Sequence, residues 1–395
     1  MGKRITILGS TGSIGESTLS LISHAEQMSE DGAFNIVCLT AHSNAAKLAE
    51  QALKYQPEYV VLVKPENAQI LKDRLAGTDI KIGIGREALI DAGAWRADFI
   101  MAAIVGAAGL EPTLAAVAQG KHVGLANKEC LVCAGDLFMT EVKRSGTTLL
   151  PVDSEHNAIF QVLNQERRQE VRKLILTASG GPFREFTTTQ LANVTRAQAL
   201  NHPVWEMGAK ITIDSASLMN KGLELIEASY LFDRSSDEID IIIHPQSIVH
   251  SMVEYVDGSV LAQMGSPDMR TPIAYALAWP CRMSAPVKPL DLVEMNKLEF
   301  FAPDSERFPA LRLARDALDI GGAAPTVLNA ANEIAVAAFL DEQIPFNSIS
   351  ACIDSVLNSF ISEQGFTKPL KSVKEVLDFD TRARQCAQIK ISKLG

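Results

Sequence analysis

The sequence predicts an α/β protein that begins with a doubly wound parallel sheet, continues with an α+β region and ends in helices. Over the first 150 residues, short apolar runs alternate with helical periodicity. This alternation is typical of a parallel sheet that helices cover on both faces. A glycine-rich turn follows the first apolar run, and after residue 150 the regular alternation stops.

Seven strands are predicted in the first part and four in the central region. The first seven are 4–9, 35–40, 59–63, 80–84, 98–101, 121–125 and 147–150, and the central four are 173–177, 239–244, 248–255 and 259–264. Central helices are expected near 155–165, 187–200 and 210–233. A proline-rich passage predicts an extended linker before helices that run to the end. The predicted boundaries are 1–150, 151–285, a linker at 286–311, and 312–395.

Composition excludes several classes of protein. The 395 residues are 47% hydrophobic and 21% charged, as in ordinary globular proteins. The net charge of −10 argues against nucleic-acid binding, which needs a basic face. No apolar run approaches the roughly 20 residues of a membrane span. Six cysteines fit a reducing compartment, so we expect a cytoplasmic protein with no nucleic-acid or membrane partner.

The stretch "ILGSTGSIG", residues 7–15, predicts a nucleotide-binding turn. Its glycines Gly9, Gly12 and Gly15 are spaced by three, whereas the usual dinucleotide fingerprint is G-x-G-x-x-G. The last glycine lets the helix pack close to the strand, and the earlier ones let the backbone approach a pyrophosphate. The amides of the helix N-terminus then bind the anion. Thr11, Ser13 and Ile14 complete this Rossmann-type cradle; a tight turn without a ligand is the alternative.

The end of the second strand, "CLTAHSN", indicates which dinucleotide binds. An NAD site normally has an acidic residue there for the ribose hydroxyls. Residues 35–49 contain none, and His42, Ser43 and Asn44 would tolerate a 2′-phosphate. The sequence therefore favours NADP, although no lysine or arginine occurs at 42–44.

Two carboxylates follow the seventh strand in "PVDSEHNAIF". In an extended segment alternate residues point the same way, so Asp153 and Glu155 would face one site. Carboxylates without cysteine or histidine partners suit a hard divalent cation such as magnesium or manganese. Because D-x-E is also common on protein surfaces, an exposed acidic pair remains the alternative.

The stretch "DSASLMNKGLELIEA", residues 214–228, suits a phosphate group. On a helix, Asn220, Lys221 and Glu224 share one face. An ion pair alone would explain Lys221 and Glu224, but not the nearby hydroxyls of Ser215 and Ser217. Hydroxyls, an amide and a lysine together form a plausible phosphate cradle.

Three further segments carry polar or loop residues that suit a ligand site. "TASGGPF", residues 177–183, ends a strand in a serine and two glycines, which can bind an anion or form a plain turn. "NHPVWEMG", residues 201–208, has large apolar side chains in a loop, typical of a lid or of a loop packed on the core. "LANKE", residues 125–129, lies at the carboxyl end of the sixth strand, where doubly wound sheets bind ligands.

In order along the chain, these motifs resemble the 1-deoxy-D-xylulose 5-phosphate reductoisomerase family. The resemblance runs over about residues 5–340 through "GSTGSIG", "NKE", "PVDSEHNAIFQ", "TASGGPF", "HPVWEMG", "DSASLMNKGLE", "IIIHPQSIVHSMVEY" and "LNAANEIAVAAFL". It implies NADPH- and metal-dependent rearrangement and reduction of 1-deoxy-D-xylulose 5-phosphate to 2-C-methyl-D-erythritol 4-phosphate, in isoprenoid precursor biosynthesis. It also implies a Rossmann-type NADPH domain, a catalytic, metal-binding and dimerising domain, and a C-terminal helical domain.

The resemblance assigns roles by position. It implies metal ligands at Asp153, Glu155 and Glu224, and catalytic roles for these three with Lys128 and His202. Substrate contacts fall on Lys128, Ser154, Glu155, Ser179, His202, Trp205, Ser215, Asn220, Lys221 and Glu224. Cofactor contacts fall on Gly9, Thr11, Gly12, Ser13, Ile14, His42, Ser43, Asn44, Asn127, Glu129 and Gly208. The implied ligands are NADPH, a divalent cation (Mg²⁺, Mn²⁺ or Co²⁺) and a phosphorylated small molecule, in a homodimer.

Other functions remain as alternatives. A phosphorylating semialdehyde dehydrogenase needs a cysteine nucleophile beside a histidine, but Cys130 and Cys133 lie on an apolar helical stretch without an evident partner. A homoserine-type dehydrogenase would not explain three carboxylates and a phosphate cradle. A non-catalytic NADP sensor is the third alternative. For the dimer interface, the candidate is a strand pair with outward His244 and His250, which could equally be sheet core.

Overall fold

The computed structural model describes residues 2–28, 33–205 and 207–393. The chain divides into two compact units. The first unit comprises Met1–Cys130, Phe138–Asn157 and Asp268–Lys288, and the second comprises Leu131–Leu137, Ala158–Pro267 and Pro289–Gly395. The domain boundaries taken from the sequence remain predictions.

The first unit contains a seven-stranded parallel sheet in the order β4-β3-β2-β1-β5-β6-β7. Its strands are β1 Lys3–Leu8, β2 Phe34–Ala41, β3 Tyr59–Leu62, β4 Lys81–Ile84, β5 Phe99–Ala102, β6 His122–Leu125 and β7 Thr148–Pro151. The strands read as continuous apolar runs because both faces of the sheet are covered: Ile7, Leu39 and Val61 are fully buried. The strand order reverses between β1 and β5, and ligands of such sheets bind at the carboxyl ends beside this point.

The second unit contains a mixed four-stranded sheet in the order β11-β10-β8-β9. Its strands are β8 Val171–Ala178, β9 Ile239–Ile243, β10 Val249–Tyr255 and β11 Val260–Met264. Strand β10 is antiparallel to β8 and β11, and β9 is parallel to β8. The predicted α/β class, with a parallel sheet, a mixed region and terminal helices, is therefore confirmed.

Helices alternate with the strands of the first sheet and make up the end of the chain. They are α1 Ser13–Gln27, α2 Ala45–Tyr55, α3 Ala68–Arg74, α4 Gly85–Gly93, α5 Leu110–Val117, α6 Glu129–Ser145, α7 Ser154–Val162, α8 Thr188–Leu191, α9 Arg196–Leu200, α10 Ala209–Ala216, α11 Met219–Phe232, α12 Arg270–Ala278, α13 Leu292–Met295, α14 Ala310–Ile320, α15 Ala324–Leu340, α16 Ser348–Phe360 and α17 Val373–Ile391. Among the described residues, no helix is long and apolar enough to span a bilayer.

Two predicted central helices are each divided in two. The expected helix at 187–200 is α8 and α9, because Thr187 and Thr195 each begin a new helix with a capping box. The expected helix at 210–233 is α10 and α11, which are separated by Leu218 in a left-handed conformation with φ 62°. The predicted linker contains α13 and an antiparallel bridge between Phe301 and Ile243.

The two histidines expected to point outward are buried, which corrects that prediction. The side chains of His244 and His250 are 0% and 5% exposed, and β10 is paired along both edges. Burial lowers the pKa of His250 to about 4, and the neighbouring Lys221 charge acts in the same direction. His250 is therefore a neutral residue inside the second unit.

A neutral buried histidine makes stability depend on pH. The ordinary pKa of 6.5 applies in the unfolded state, so below that pH the unfolded chain binds a proton that the native state does not bind until about pH 4. We therefore expect this histidine alone to lower the free energy of unfolding by about 2 kcal/mol between pH 7.5 and pH 5. Urea unfolding at pH 7.5 and pH 5 should show this loss in the native protein and a smaller loss in His250→Gln. Equal losses in the two proteins would contradict the assignment.

Candidate functional site

The glycine turn joins the end of β1 to the start of α1 in a conformation that requires glycine. Gly9 has φ 88°, and a Cβ there would lie 2.7 Å from the carbonyl oxygen of Ala103. A Cβ at Gly15 would lie 2.4 Å from the carbonyl oxygen of Gly9. Gly12 is the N-cap of α1, and Gly12 and Ser13 are exposed. The exposed start of this 15-residue helix is therefore a cradle that fits the pyrophosphate of a dinucleotide.

The loop after β2 carries His42, Ser43 and Asn44, all exposed. The backbone N–H of Lys64 donates to the carbonyl of His42 at 2.8 Å, and the side-chain amide of Asn67 donates to the carbonyl of Ser43 at 2.7 Å. The side chain of Asn44 accepts from the backbone N–H of Lys47 at 3.1 Å and so caps α2. Asn44 thus has a structural role that its sequence position alone does not reveal.

Asn127 lies two residues after the end of β6 and fixes the neighbouring loop. Its amide donates to the carbonyl of Gly106 at 3.0 Å and also to that of Ile104, while its oxygen accepts from the backbone N–H of Cys130 at 3.1 Å. A Cβ at Gly109 would lie 2.2 Å from the Asn127 amide nitrogen, so only glycine leaves room for it. The next two residues of the motif, Lys128 and Glu129, are also buried.

Asp153 and Glu155 lie at the start of a helix and not in an extended segment. Asp153 precedes α7, and its Oδ1 accepts from the backbone N–H of Glu155 at 3.4 Å. The hydroxyl of Ser154 donates to the Glu155 carboxylate at 2.7 Å. The expected extended geometry is therefore wrong, but the first helical turn keeps the two carboxylates adjacent. Because both offer only oxygen ligands, they fit a hard divalent cation such as magnesium.

Lys128 provides the positive charge beside this acidic pair. Its Nζ lies 2.8 Å from Oδ2 of Asp153, and His156 Nδ1 lies 3.6 Å from Oδ1. Burial alone would raise the pKa of Asp153, but the Lys128 ammonium and the hydrogen bond with His156 outweigh it and hold that pKa well below its usual range. Asp153 is consequently ionised at neutral pH and able to bind a cation.

In the second unit, His202 is linked to Ser179. Nδ1 of His202 accepts from the backbone N–H groups of Val204 and Trp205 at 3.2 and 2.9 Å, so the proton of the neutral ring is on Nε2. Nε2 lies 3.1 Å from the Ser179 hydroxyl and donates to it. Burial lowers the pKa of His202, which favours this neutral form. The structure therefore brings together two predicted substrate residues that are 23 positions apart.

The glycine pair after Ser179 packs against the end of α10. A Cβ at Gly181 would lie 2.9 Å from the carbonyl oxygen of Ser215, so the two predicted phosphate-binding segments meet here. The Gly181 backbone N–H also donates to the Ser179 hydroxyl at 3.2 Å. Gly208 begins α10 as its N-cap, and the loop before it is described except for residue 206.

On α11, the predicted shared face is present. The Asn220 amide and the Lys221 ammonium both donate to the Glu224 carboxylate. Lys221 and Glu224 are buried, with side chains 4% and 1% exposed. Leu218, just before the helix, is held in its left-handed conformation with its side chain in the core.

His250 lies near the site, although the sequence analysis placed this residue at the candidate dimer interface. Its ring centroid lies 6.4 Å from that of Trp205, and its pKa responds to Lys221. Burial along β10 does not alternate, since Val249, His250 and Ser251 are all buried, so a period of two in the sequence does not indicate that this histidine is enclosed. It contributes a neutral, buried face beside the predicted lid tryptophan.

Three family models match the chain. The model for 1-deoxy-D-xylulose 5-phosphate reductoisomerase matches residues 5–135, and that for the C-terminal domain of this enzyme matches residues 149–232. A model for the DXP reductoisomerase C-terminal domain matches residues 264–386. Together the models cover most of the chain.

Curated relatives and solved structures agree with these models. The chain is 55% identical over 385 residues to the 1-deoxy-D-xylulose 5-phosphate reductoisomerase of Rhodospirillum centenum, which covers 98% of this chain and 93% of the relative. The enzyme of Zymomonas mobilis, solved in complex with NADPH, superposes with a TM-score of 0.92 at 48% identity and covers 99% of each chain. A DOX-P reductoisomerase with NADPH, fosmidomycin and magnesium gives 0.92 at 44% identity, with 99% and 98% covered.

Proposed function

Because this chain belongs to the 1-deoxy-D-xylulose 5-phosphate reductoisomerase family, we propose that it converts 1-deoxy-D-xylulose 5-phosphate to 2-C-methyl-D-erythritol 4-phosphate. The enzyme uses NADPH and a divalent metal ion, and the reaction belongs to the methylerythritol phosphate route to isoprenoid precursors. The observation that carries this conclusion is the match of the family models along residues 5–386.

We assign cofactor binding to the first unit. The exposed amides at the start of α1 would hold the pyrophosphate, and the loop at 42–44 would lie beside the adenosine ribose. Asn127 and Glu129 at the end of β6 would flank the nicotinamide half. NADPH, when bound, supplies the hydride that reduces the rearranged aldehyde.

We assign metal binding to Asp153, Glu155 and Glu224. Asp153 is kept ionised by Lys128, and Glu155 is oriented by Ser154. A divalent ion held by these carboxylates supplies Lewis-acid stabilisation of negative charge on neighbouring substrate oxygens. Lys128 would add positive charge at the same place and hold the Asp153 carboxylate in position.

We assign the substrate phosphate to the second unit. The hydroxyls of Ser179 and Ser215, the amide of Asn220 and the ammonium of Lys221 offer donors suited to a phosphate. Since His202 already donates from Nε2 to the Ser179 oxygen, the Ser179 hydroxyl proton is left to donate to a phosphate oxygen. Anchoring this non-reacting end would orient the reacting carbons, and closure of the loop with Trp205 would exclude water.

The structure does not favour a semialdehyde dehydrogenase. Cys130 and Cys133 are 0% and 3% exposed, and Cys133 accepts a hydrogen bond from Thr326 through its carbonyl at 2.7 Å. A thiol that attacks a substrate must be accessible. These cysteines are therefore core residues.

We further propose that the enzyme is a homodimer that pairs through β11. In the described part of the chain, β11 pairs only with β10, which leaves its other edge open. Val260 and Leu261 on this strand are each 49% exposed, and an open apolar edge of this kind is suited to a second copy. Sedimentation of the purified protein as a monomer at micromolar concentration would rule this out.

The assay for the proposed function is NADPH oxidation with 1-deoxy-D-xylulose 5-phosphate. We expect oxidation in the presence of magnesium or manganese and its loss when the metal is chelated, with recovery on adding the metal back. A protein that binds NADPH but does not oxidise it under these conditions would retain the cofactor assignment and lose the substrate assignment. The dehydrogenase and sensor alternatives would then be tested with their own substrates.

A further inference from the structure

We infer that Lys47 is the residue through which this protein recognises the 2′-phosphate of NADPH. The inference rests on the proposed function, since it takes NADPH as the cofactor. A 2′-phosphate normally requires a nearby cationic side chain, and residues 42–44 contain no lysine or arginine. The first turn of α2 supplies this charge.

The glycine turn and the end of β2 are joined by direct hydrogen bonds. The backbone N–H of Gly9 donates to the Thr40 hydroxyl at 2.8 Å, and that of Ser10 donates to the Thr40 carbonyl at 2.8 Å. The pyrophosphate cradle and the loop at 42–44 therefore lie side by side. In a dinucleotide fold the adenosine ribose occupies the space between such a cradle and the end of the second strand.

Lys47 reaches this space from the loop side. It is the third residue of α2, and its backbone N–H is fixed by the Asn44 cap. Its ammonium pairs with the carboxylate of Glu16, which lies in the first turn of α1. The charge is thus held between the N-terminal turns of the two helices.

The pair with Glu16 does not prevent Lys47 from binding a phosphate. The two side chains are 39% and 43% exposed, and an exposed ion pair contributes little to stability. A phosphate monoester carries nearly two negative charges at neutral pH and offers three acceptor oxygens. It therefore attracts the ammonium more strongly than a single exposed carboxylate does.

Other cations around α2 are placed less well. Lys54, at the far end of the helix, donates to the Ser23 hydroxyl at 3.0 Å and lies over the Tyr55 ring. Arg74 donates to the carbonyl of Ala46 at 3.3 Å and pairs with Glu50 on the side of α3. Lys64 follows β3, one strand further from the glycine turn, and supports the loop through its backbone N–H.

The test is the affinity of the substrate-free protein for NADPH and NADH, measured by fluorescence titration. We expect Lys47→Ala to weaken NADPH binding by about ten- to a hundred-fold, the usual value of a charge-assisted hydrogen bond, and to leave NADH binding unchanged. Lys54→Ala removes the same charge from the same helix and should change neither affinity. Glu16→Gln releases Lys47 and removes a nearby negative charge, so it should tighten NADPH binding.

The possible results separate this inference from the proposed function. Equal weakening of both nucleotides in Lys47→Ala, or no change in either, would overturn the inference while the proposed function stands. Loss of NADPH preference in Lys64→Ala with retention in Lys47→Ala would also overturn it. If the native protein, folded by circular dichroism, bound neither nucleotide, the proposed function would fail and this inference with it.

Discussion

Replacing Glu224 by glutamine is expected to lower kcat by about a thousand-fold while NADPH binding remains intact. The magnitude corresponds to about 4 kcal/mol of lost transition-state stabilisation, as for removal of a principal electrostatic contact. Glutamine keeps the shape of the side chain and an oxygen that can accept from Asn220 and Lys221. It removes the negative charge that a divalent ion requires, so added magnesium should not restore the rate.

The loss must be separated from misfolding, because Glu224 is also the buried partner of Lys221. Removing one member of a buried ion pair lowers stability, so the melting temperature and the NADPH affinity are measured on the same preparation. Glu238→Gln is the matched control: it neutralises an acid in the same unit that pairs with Arg234 outside the site. Full activity in Glu224→Gln would contradict the metal assignment, and joint loss of turnover and NADPH binding would indicate a folding defect.

Gly15→Ala should abolish NADPH binding and destabilise the first unit. The added methyl group would lie 2.4 Å from the Gly9 carbonyl oxygen and 2.5 Å from the Ser10 Cα, closer than real carbon contacts allow. Because both neighbours are backbone atoms, the turn itself must move, at a cost of about 3 kcal/mol. Displacement of the turn moves the amides that hold the pyrophosphate.

Gly12→Ala is the matched control for the loss of stability in this substitution. The nearest atom to a Cβ at Gly12 is 3.5 Å away, and its φ of −85° suits any residue. We expect this variant to melt close to the native protein, whereas Gly15→Ala melts lower and shows no NADPH fluorescence enhancement. Native-like melting and NADPH affinity in Gly15→Ala would show that the turn is not the cofactor cradle.

The first sheet could be predicted almost to the residue because its signal is local. Most of its strands are short buried apolar runs between turn residues, and only the edge strand β4 has no buried residue. The second strand, expected at 35–40, occupies Phe34–Ala41. The ends of the central helices are harder to predict. Two capping boxes and one left-handed leucine divide segments whose apolar periodicity is continuous. Periodicity reports which residues are buried and does not report where a helix is interrupted.

The features of the candidate site divide in the same way: local patterns could be predicted from the sequence, and contacts between distant residues could not. The glycine spacing and the shared face of Asn220, Lys221 and Glu224 are local patterns, and both are present. The contact of Ser179 with His202 depends on how a loop folds back over 23 residues, and no pattern in the sequence specifies it. The sequence does not specify that Asn44 caps α2 or that Asn127 accepts from the backbone N–H of Cys130, because asparagine at a ligand-binding edge suits a structural or a ligand-binding role.

The left-handed conformation of Leu218, between α10 and α11, affects two properties of the second unit: its stability and the relative orientation of these two helices. Holding a bulky residue in this conformation costs about 1–2 kcal/mol, which burial of the Leu218 side chain offsets. An uninterrupted helix would carry Ser215 and Asn220 on a single axis, whereas the break at Leu218 places these two proposed phosphate-binding residues on separate helices. A substitution at position 218 that relieves the backbone strain would therefore raise the stability of this unit. The same substitution would change the relative orientation of α10 and α11.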